Sequence, residues 1–320
     1  MSDAIDRARQ LLHRGDLHSA AAALKKAEAA GDALAARELA VWYLTGHAIN
    51  RDLAACRSLF ERAADLRDQV SARVVRAFVA GGIGGPADWP GALDLLRDAA
   101  PRDRQAAEEI ALIDAMKLDA NGAPSVAFDA EILSRSPEVS HFPAFFTGAE
   151  CTYLSETAKP LLQSSVVVDP RTGQQVPNPI RTSTGATFPF IDENPAIHAL
   201  NRRIAAASGT DVRAGEPLQV LRYLPGQEYR PHSDALPHVQ PNEQRVLTFL
   251  VYLNDNYQGG ETSFPALGLS FRGKAGDALM FRNANPDGTP DSRVLHAGEP
   301  VTRGVKFLAS RWIRAVPVIL

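Results

Sequence analysis

The fold of the C-terminal half is indicated by one segment, Arg245-Val246-Leu247-Thr248-Phe249-Leu250-Val251-Tyr252-Leu253. Its near-continuous run of β-branched, aromatic and other apolar side chains predicts a strand that is buried on both faces. Residues 254–260 contain two asparagines and two glycines and predict a turn, after which further short strands follow. Short strands at close intervals predict a double-stranded β-helix, or jelly roll, with flanking helices near residues 149–162 and 196–208.

The distribution of proline divides the chain into two parts. Of the 22 prolines, only three come before residue 120, so the first third of the chain is free to form helices. Asn121-Gly122 and Pro124 are expected to end this helical part. We therefore expect an α+β protein of two domains, with helical repeats at residues 1–120, a linker at 121–136 and the jelly-roll domain at 137–320.

The helical third repeats itself every 36 residues. Three tripeptides, Gly15-Asp16-Leu17, Arg51-Asp52-Leu53 and Ala87-Asp88-Trp89, each precede a helical stretch, and each aspartate suits an N-cap. A second helical stretch that ends in glycine occurs at residues 36–46 and recurs at 72–82. This pattern predicts an α-solenoid. Over about residues 5–117 the sequence resembles the SEL-like branch of the tetratricopeptide-type repeats.

Composition and charge exclude several classes of partner. The chain has 34 Lys and Arg against 37 Asp and Glu, a net charge of −3, so no overall basic field attracts nucleic acid or an anionic membrane. No apolar run approaches the roughly 20 residues that span a bilayer, and the N-terminal residues are polar. We expect a cytoplasmic protein without nucleic-acid or membrane partners. The two cysteines, Cys56 and Cys151, lie far apart and are expected to be ordinary thiols.

A candidate metal site begins at His232-Ser233-Asp234, whose spacing places an imidazole and a carboxylate on the same face of a strand. Such a pair arises often by chance and means little alone. His296 follows on the far side of at least two strands. A second imidazole would complete a triad of two histidines and one carboxylate, which leaves open positions and suits non-haem ferrous iron.

A candidate anion site follows in the last strand of the sequence. On a strand, Lys306 shares one face with Leu308, Ser310 and Trp312, so its ammonium could enter the same cavity as the metal. A buried ammonium needs an anion. The carboxylate of a co-substrate is a good candidate for that anion.

Residues from about 137 to 316 resemble the prolyl 4-hydroxylase branch of the iron(II)/2-oxoglutarate dioxygenases. The motifs that carry this resemblance are Tyr223-Leu224-Pro225-Gly226-Gln227-Glu228-Tyr229-Arg230-Pro231-His232-Ser233-Asp234, Tyr252-Leu253-Asn254, Gly259-Gly260-Glu261-Thr262, Gly276-Asp277-Ala278-Leu279-Met280-Phe281, and His296 with Lys306. The resemblance implies that iron is bound by His232, Asp234 and His296. It implies that the distal carboxylate of 2-oxoglutarate is held by Tyr223, Thr262 and Lys306.

The resemblance also implies a peptide groove. Arg181-Thr182-Ser183 matches the motif that opens this groove, and the substrate-side positions are Arg181, Ser183, Glu216, Tyr229, Arg245 and Trp312. No catalytic residue is expected beyond the ligands of the metal and of the co-substrate. The chemistry then belongs to the metal and co-substrate, while the protein supplies binding and orientation.

The activity implied by the resemblance is hydroxylation of a peptidyl proline in a protein substrate, with release of succinate and CO2. Its cofactor set is Fe(2+) with 2-oxoglutarate and O2 as co-substrates, and ascorbate is an optional addition. The helical repeats are expected to recruit the peptide or protein substrate. Two alternatives stay open: a hydroxylase of another protein side chain or of a free amino acid or small metabolite, and a catalytically silent repeat-protein scaffold.

Overall fold

The computed structural model describes residues 3–168 and 175–318, and it divides into two compact units. The first unit comprises the described residues up to Ala123 together with the segment Phe190–Ala199. The second comprises Pro124–Pro189 and the described residues from Leu200 onward. The sequence analysis placed residues 190–199 in the jelly-roll domain, whereas the structure groups them with the helices. The boundaries of independently folding domains stay a prediction.

Helices arranged in consecutive pairs form the first unit. They are α1 (Asp3–His13), α2 (Leu17–Ala29), α3 (Ala33–Thr45), α4 (Leu53–Asp65), α5 (Gln69–Gly81), α6 (Trp89–Ala99) and α7 (Arg104–Ala115). The predicted repeat of 36 residues is visible in these bounds, because α2 and α4 begin 36 residues apart, as do α3 and α5. Among the described residues, no helix is both long enough and apolar enough to cross a membrane.

The ends of these helices follow from local sequence. Aspartate side chains accept backbone N–H groups at the start of α2 to α7, and these caps are Asp16, Asp32, Asp52, Asp68, Asp88 and Asp103. Gly46 and Gly82 end α3 and α5 in the left-handed conformation, with φ of 69° and 71°. The caps at Asp16, Asp52 and Asp88 confirm the role that the tripeptide repeat predicted.

Two of the capping aspartates also bind arginines of the preceding repeat. Arg37 contacts Asp68 at 2.8 Å, and Arg76 contacts Asp103 at 3.1 Å. Beside this second pair lies Glu109, which is only 1% exposed, so burial raises the pKa of its carboxyl to about 7. Charged groups therefore join neighbouring repeats inside the helical unit.

The second unit is built mainly from antiparallel strands. They are β1 (Glu131–Arg135), β2 (Glu138–Phe142), β3 (Gln163–Ser164), β4 (Val166–Val168), β5 (Gln175–Pro177), β6 (Thr184–Phe188), β7 (Leu218–Tyr223), β8 (Tyr229–His232), β9 (Arg245–Tyr252), β10 (Gln258–Gly259), β11 (Thr262–Phe264), β12 (Leu269–Phe271), β13 (Ala278–Arg282), β14 (His296–Gly298), β15 (Val301–Arg303) and β16 (Lys306–Arg314). Two longer helices, α8 (Gly148–Ala158) and α9 (Pro195–Ser208), lie close to the predicted ranges.

A larger and a smaller sheet carry the candidate site. The larger has the strand order β1-β2-β13-β9-β16-β7-β6-β3, and the smaller has the order β12-β11-β14-β8. The predicted buried strand is β9, which pairs with β13 and β16 on its two sides and is buried from Leu247 to Tyr252. Together with the helical unit, these antiparallel sheets confirm the predicted α+β fold with a jelly-roll domain.

Strand register brings distant parts of the sequence together. In the smaller sheet, His296 of β14 lies opposite His232 of β8. In the larger sheet, Lys306 of β16 lies opposite Tyr223 of β7. Each pairing joins residues more than 60 positions apart in sequence. The two sheets thus supply two pairs of side chains that line one opening.

Candidate active site

Three metal-ligating side chains meet at one end of the smaller sheet. His232 is the last residue of β8, Asp234 follows it by two residues, and His296 is the first residue of β14. Their candidate ligand atoms all lie within 4.8 Å of one another. Each carboxylate oxygen lies near one imidazole, with Asp234 Oδ1 at 3.6 Å from His232 Nε2 and Oδ2 at 3.5 Å from His296 Nε2. The side chains are 5–8% exposed, so the cluster is largely removed from water.

Backbone carbonyls orient both imidazoles. His232 Nδ1 lies 2.9 Å from the carbonyl of Arg230, and His296 Nδ1 lies 3.0 Å from the carbonyl of Val294. A carbonyl only accepts, so Nδ1 is the donor in each of these contacts. Nε2 of each ring is then the nitrogen that faces the other candidate ligands. Such outer contacts are the usual way in which proteins fix metal-binding histidines.

The electrostatics of the cluster also suit a divalent cation. Burial and the neighbouring His296 lower the pKa of His232 to about 4, so this imidazole is neutral near pH 7. Burial opposes ionisation of Asp234, but the two imidazoles and a hydrogen bond from Thr248 outweigh it and lower the pKa of the carboxyl. Two imidazoles and one carboxylate form the facial donor set of non-haem iron sites. The residues present therefore fit an Fe(2+) ion.

A buried ammonium lies in the same opening. Lys306 is 2% exposed, and its Nζ donates a hydrogen bond to the carbonyl of Gly260 at 2.7 Å. Nζ also lies 5.4 Å and 5.3 Å from the ring centroids of Tyr223 and Tyr252. Burial lowers the pKa of Lys306 to about 7, and Glu261 opposes this change only in part. A carboxylate bound here would supply the countercharge that the ammonium needs.

The turn at Gly259-Gly260 helps to form this anion site. Gly260 has a φ of 70°, and a Cβ at this position would lie 3.2 Å from Cδ of Lys306. Glycine is favoured there because it adopts positive φ without strain and leaves room for the lysine stem. The turn therefore determines how closely its own carbonyl approaches the ammonium.

Thr262, a predicted ligand of 2-oxoglutarate, is hydrogen-bonded to Tyr252. Its hydroxyl lies 2.7 Å from the hydroxyl of Tyr252, and both side chains are buried. Tyr252 belongs to a motif that carried the family resemblance, yet no role was predicted for it. The signal that could have identified it is the alternation along β9, because Thr248, Leu250 and Tyr252 share the face that reaches the site.

The aromatic side chains at the mouth contact the metal ligands directly. Tyr229 stacks on His232 with ring centroids 3.4 Å apart and planes 13° apart. Arg181 also contacts Tyr229, with its guanidinium carbon 5.6 Å from the centroid of the ring, and its Nε donates to Ser165 Oγ at 2.9 Å. Tyr229 therefore contacts both a cation and a candidate metal ligand, and it lines the opening.

An ion pair between Glu216 and Arg245 lies against Trp312. Glu216 accepts two hydrogen bonds from Arg245, at 2.7 Å and 2.8 Å, and is also bonded to Arg314. The guanidinium of Arg245 stacks on the Trp312 ring at 3.7 Å from its centroid. Because Arg245 is engaged by both a carboxylate and an indole, its first role is to fix the tryptophan.

The opening is formed by both sheets and by the loops between them. Its lining consists of Arg181, Leu221, Tyr223, Tyr229, His232, Asp234, Leu250, Thr262, His296, Ala297, Gly298, Lys306, Leu308, Ser310 and Trp312. All predicted ligands of iron and of 2-oxoglutarate are in this set. Of the predicted substrate-side residues, three line the opening, whereas Ser183, Glu216 and Arg245 do not.

Comparison with known proteins gives a consistent set of similarities. The sequence model of the 2OG-Fe(II) oxygenase superfamily matches residues 218–314. Prolyl 4-hydroxylase 1 of Arabidopsis thaliana is 38% identical over 201 residues, which cover 58% of this chain and 71% of the plant protein. The crystal structure of a viral collagen prolyl hydroxylase from Paramecium Bursaria Chlorella virus-1 is 30% identical and covers 56% of this chain and 96% of the viral chain, with a TM-score of 0.45. A Sel1 repeat protein from Oxalobacter formigenes is 24% identical and covers 29% of this chain and 39% of its own, with a TM-score of 0.28.

Proposed function

Because the chain belongs to the prolyl 4-hydroxylase family of 2OG-Fe(II) oxygenases, we propose that it hydroxylates a peptidyl proline in a protein substrate. It is a 2-oxoglutarate-dependent dioxygenase, with Fe(2+) as its cofactor and 2-oxoglutarate and O2 as co-substrates. The observation that carries the proposal is the meeting of two imidazoles and a carboxylate within 4.8 Å, in an opening that also contains a buried ammonium. A catalytically silent scaffold would have no need of a lysine whose amine is buried at 2% exposure beside a candidate metal site.

Each group of the site has a separate task in this proposal. The residues that would hold the metal are His232, Asp234 and His296. When bound, iron with 2-oxoglutarate and O2 supplies an oxidant that inserts one oxygen atom into the substrate while 2-oxoglutarate becomes succinate and CO2. Lys306 binds the distal carboxylate of 2-oxoglutarate by charge and hydrogen bond, beside the hydroxyl groups of Tyr223 and Thr262.

The apolar lining keeps water away from these polar groups. Leu221, Leu250 and Leu308 line the opening from the larger sheet. A charge-assisted hydrogen bond between Lys306 and a carboxylate is stronger in such a shielded place than in water. The same shielding limits contact between solvent and the reacting groups.

The mouth of the opening suits an extended, proline-bearing segment. Tyr229 and Trp312 present aromatic surface there, and both are held by guanidinium groups, from Arg181 and Arg245 respectively. Proline-rich chains already favour the polyproline conformation, so they lose little entropy when they dock against aromatic side chains. The positions of these residues thus support a peptide over a free amino acid as substrate.

Recruitment of the protein substrate is assigned to the helical unit. Stacked helix pairs form an extended surface that suits a partner polypeptide, and among the described residues none that lines the opening lies before Arg181. Leu66, which follows α4, is 39% exposed, and Val70, in the first turn of α5, is 52% exposed. Replacing both with serine in the full chain should raise the Michaelis constant for a whole protein substrate while that for a short peptide stays constant. Equal Michaelis constants for the protein substrate before and after substitution would assign recruitment to another surface.

The proposed function is tested with the full chain, Fe(2+), 2-oxoglutarate and a library of proline-bearing peptides. We expect succinate to form and one oxygen to be added to a proline, located by fragmentation in a mass spectrometer. His296→Ala is the matched control, and it should give neither product. Oxygen on another residue, or only on a free metabolite, would overturn the proline assignment, and absence of succinate would favour the scaffold. Ascorbate dependence and a cytoplasmic location stay predictions.

A further inference from the structure

A hydrogen-bonded chain of buried side chains leads to the carboxylate of Asp234. Thr248 Oγ1 lies 2.7 Å from Asp234 Oδ2, and Asn283 Nδ2 lies 2.8 Å from Thr248 Oγ1. Thr248 is fully buried, Asn283 is 1% exposed and Asp234 is 7% exposed. The three residues come from β9, from the position after β13 and from the loop after β8. None of them is close to another in sequence, so the fold alone creates the chain.

The direction of the hydrogen bonds follows from what each group can donate. The Asn283 amide nitrogen only donates, so the Thr248 oxygen accepts from it. The single hydroxyl proton of Thr248 is then free to point at Asp234, whose ionised carboxylate only accepts. The chain therefore runs from amide to hydroxyl to carboxylate. Hydrogen bonds in such a series strengthen one another in a medium of low dielectric constant.

The backbone holds Asn283 firmly in this place. Its N–H donates to the carbonyl of Val246 at 2.9 Å, and its carbonyl accepts from the N–H of Asp291 at 3.0 Å. The side-chain Oδ1 of Asn283 is buried and has no hydrogen-bond partner among the described residues. An unpaired buried acceptor destabilises the folded protein. An apolar residue would avoid that cost. The presence of asparagine indicates that its amide N–H is needed as the donor to Thr248.

Thr248 also departs from the pattern of its strand. Its neighbours Leu247 and Phe249 are apolar and buried, and a valine would fill the same space in β9. A buried hydroxyl is tolerated only where it is hydrogen-bonded. The hydroxyl of Thr248 has two partners, the candidate metal ligand Asp234 and the amide of Asn283.

We propose that Thr248 and Asn283 are positioning residues that make Asp234 a one-oxygen metal ligand. The Thr248 hydroxyl engages Oδ2, which leaves Oδ1 as the oxygen available for coordination. A carboxylate that bound through both oxygens would occupy one of the positions needed by 2-oxoglutarate or O2. This inference rests on the proposed function, because it concerns the same metal site. It adds two residues that contact neither metal nor co-substrate and act through Asp234.

The inference is tested by Co(2+) binding to the full chain without 2-oxoglutarate, followed through the visible absorbance of the bound ion. Thr248→Val keeps the shape of the side chain and removes the hydroxyl, and it should weaken Co(2+) binding about tenfold to a hundredfold. Thr248→Ser keeps the hydroxyl and should bind within about threefold of the unmodified chain, a difference of less than 1 kcal/mol. The absorbance of Thr248→Val should also shift, because the coordination by the carboxylate changes.

A double-mutant cycle tests whether Asn283 and Thr248 act on Asp234 as one hydrogen-bonded chain or independently of each other. Asn283→Ala should weaken Co(2+) binding by a smaller factor than Thr248→Val, since it removes only the support of the hydroxyl. In the Thr248→Val background, Asn283→Ala should have no further effect on Co(2+) affinity. If the losses of Co(2+) affinity in the two single variants add up in the double variant, the proposal that the residues act as one chain is overturned. If Thr248→Val does not fold, the affinity of Asn283→Ala decides, and an unchanged value overturns the inference.

Controls distinguish this inference from the proposed function. If the unmodified chain binds no Co(2+), or if His296→Ala binds it equally well, the metal site itself is wrong and the proposed function fails. If the unmodified chain binds Co(2+) and Thr248→Val binds it as tightly, only the positioning role fails. A lower unfolding temperature of metal-free Thr248→Val together with unchanged Co(2+) affinity also overturns it, because the hydroxyl would then stabilise the fold alone.

Discussion

Replacing Lys306 with methionine should weaken 2-oxoglutarate binding and remove most of its dependence on pH. Methionine is similar in length to the lysine stem and removes the ammonium from a position that is 2% exposed. A charge-assisted hydrogen bond in a shielded site contributes about 1.5–3 kcal/mol, so its loss should cost about ten- to a hundredfold in affinity. This full loss applies only where the lysine of the free enzyme is already protonated.

The pH dependence follows from the shifted pKa of the ammonium. Burial lowers the pKa of Lys306 to about 7, while the carboxylate of 2-oxoglutarate binds the protonated form. The need to protonate the lysine should weaken apparent binding about 1.1-fold near pH 6, about twofold near pH 7 and about elevenfold near pH 8. The affinity of the unmodified enzyme should therefore fall about tenfold across this range. The ratio of its affinity to that of Lys306→Met should shrink by the same factor.

Calorimetric titration of the Mn(2+)-loaded enzyme with 2-oxoglutarate measures both effects. Near pH 8 the unmodified enzyme should take up nearly one proton on binding, which appears as a heat that depends on the ionisation enthalpy of the buffer. Lys306→Met should take up none. Lys159→Met is the control, because this lysine is on the surface with its side chain 47% exposed. The reasoning would be refuted by a constant affinity ratio between about pH 6 and about pH 8, or by equal proton uptake in both proteins.

Three further predictions concern the metal, the substrate and the helical unit. His296→Ala should lose Mn(2+) binding, measured by electron paramagnetic resonance, and a retained signal would remove this residue from the ligand set. Tyr229→Ala and Arg181→Ala should weaken peptide hydroxylation about tenfold or more while succinate formation without peptide continues; parallel loss of both activities would assign them to the co-substrate site. Burial raises the pKa of Glu109 from 4.5 to about 7, so its contribution favours folding below about pH 4.5 and is lost as the pH rises to about 7. The thermal unfolding temperature should therefore fall less over this pH range in Glu109→Gln than in the unmodified protein. Parallel curves of unfolding temperature against pH for the two proteins would contradict this.

The helical unit shows how far local sequence can determine structure. The aspartate caps and the glycine ends recur at the repeat period, and each acts on backbone groups within three or four residues of itself. Strand β9 was predicted correctly for the same reason, since a continuous apolar run has few alternatives to burial on both faces. The segment Phe190–Ala199 was not assigned to the helical unit, because Phe190 contacts Phe78 over a separation that no local pattern encodes.

The candidate site likewise combines features that the local sequence predicts with contacts that only the fold creates. Spacing along one strand placed Lys306 and Trp312 on a common face, because side chains alternate with a period of two. Family motifs supplied the ligand set, but they gave no reason for the contact between His296 and His232. That contact requires β14 to pair with β8 in one particular register.

By itself, the sequence determined which segments become helices and strands, which side chains share a face, and which family the chain resembles. Only the tertiary structure decided that the Thr248 hydroxyl binds Asp234, that Glu216 holds Arg245 against Trp312, and that Thr262 meets Tyr252. The physical reason is that local spacing is set by backbone geometry within a few residues. Contacts between strands depend on register and on the rotamers that a close-packed interior allows, and both are properties of the whole fold.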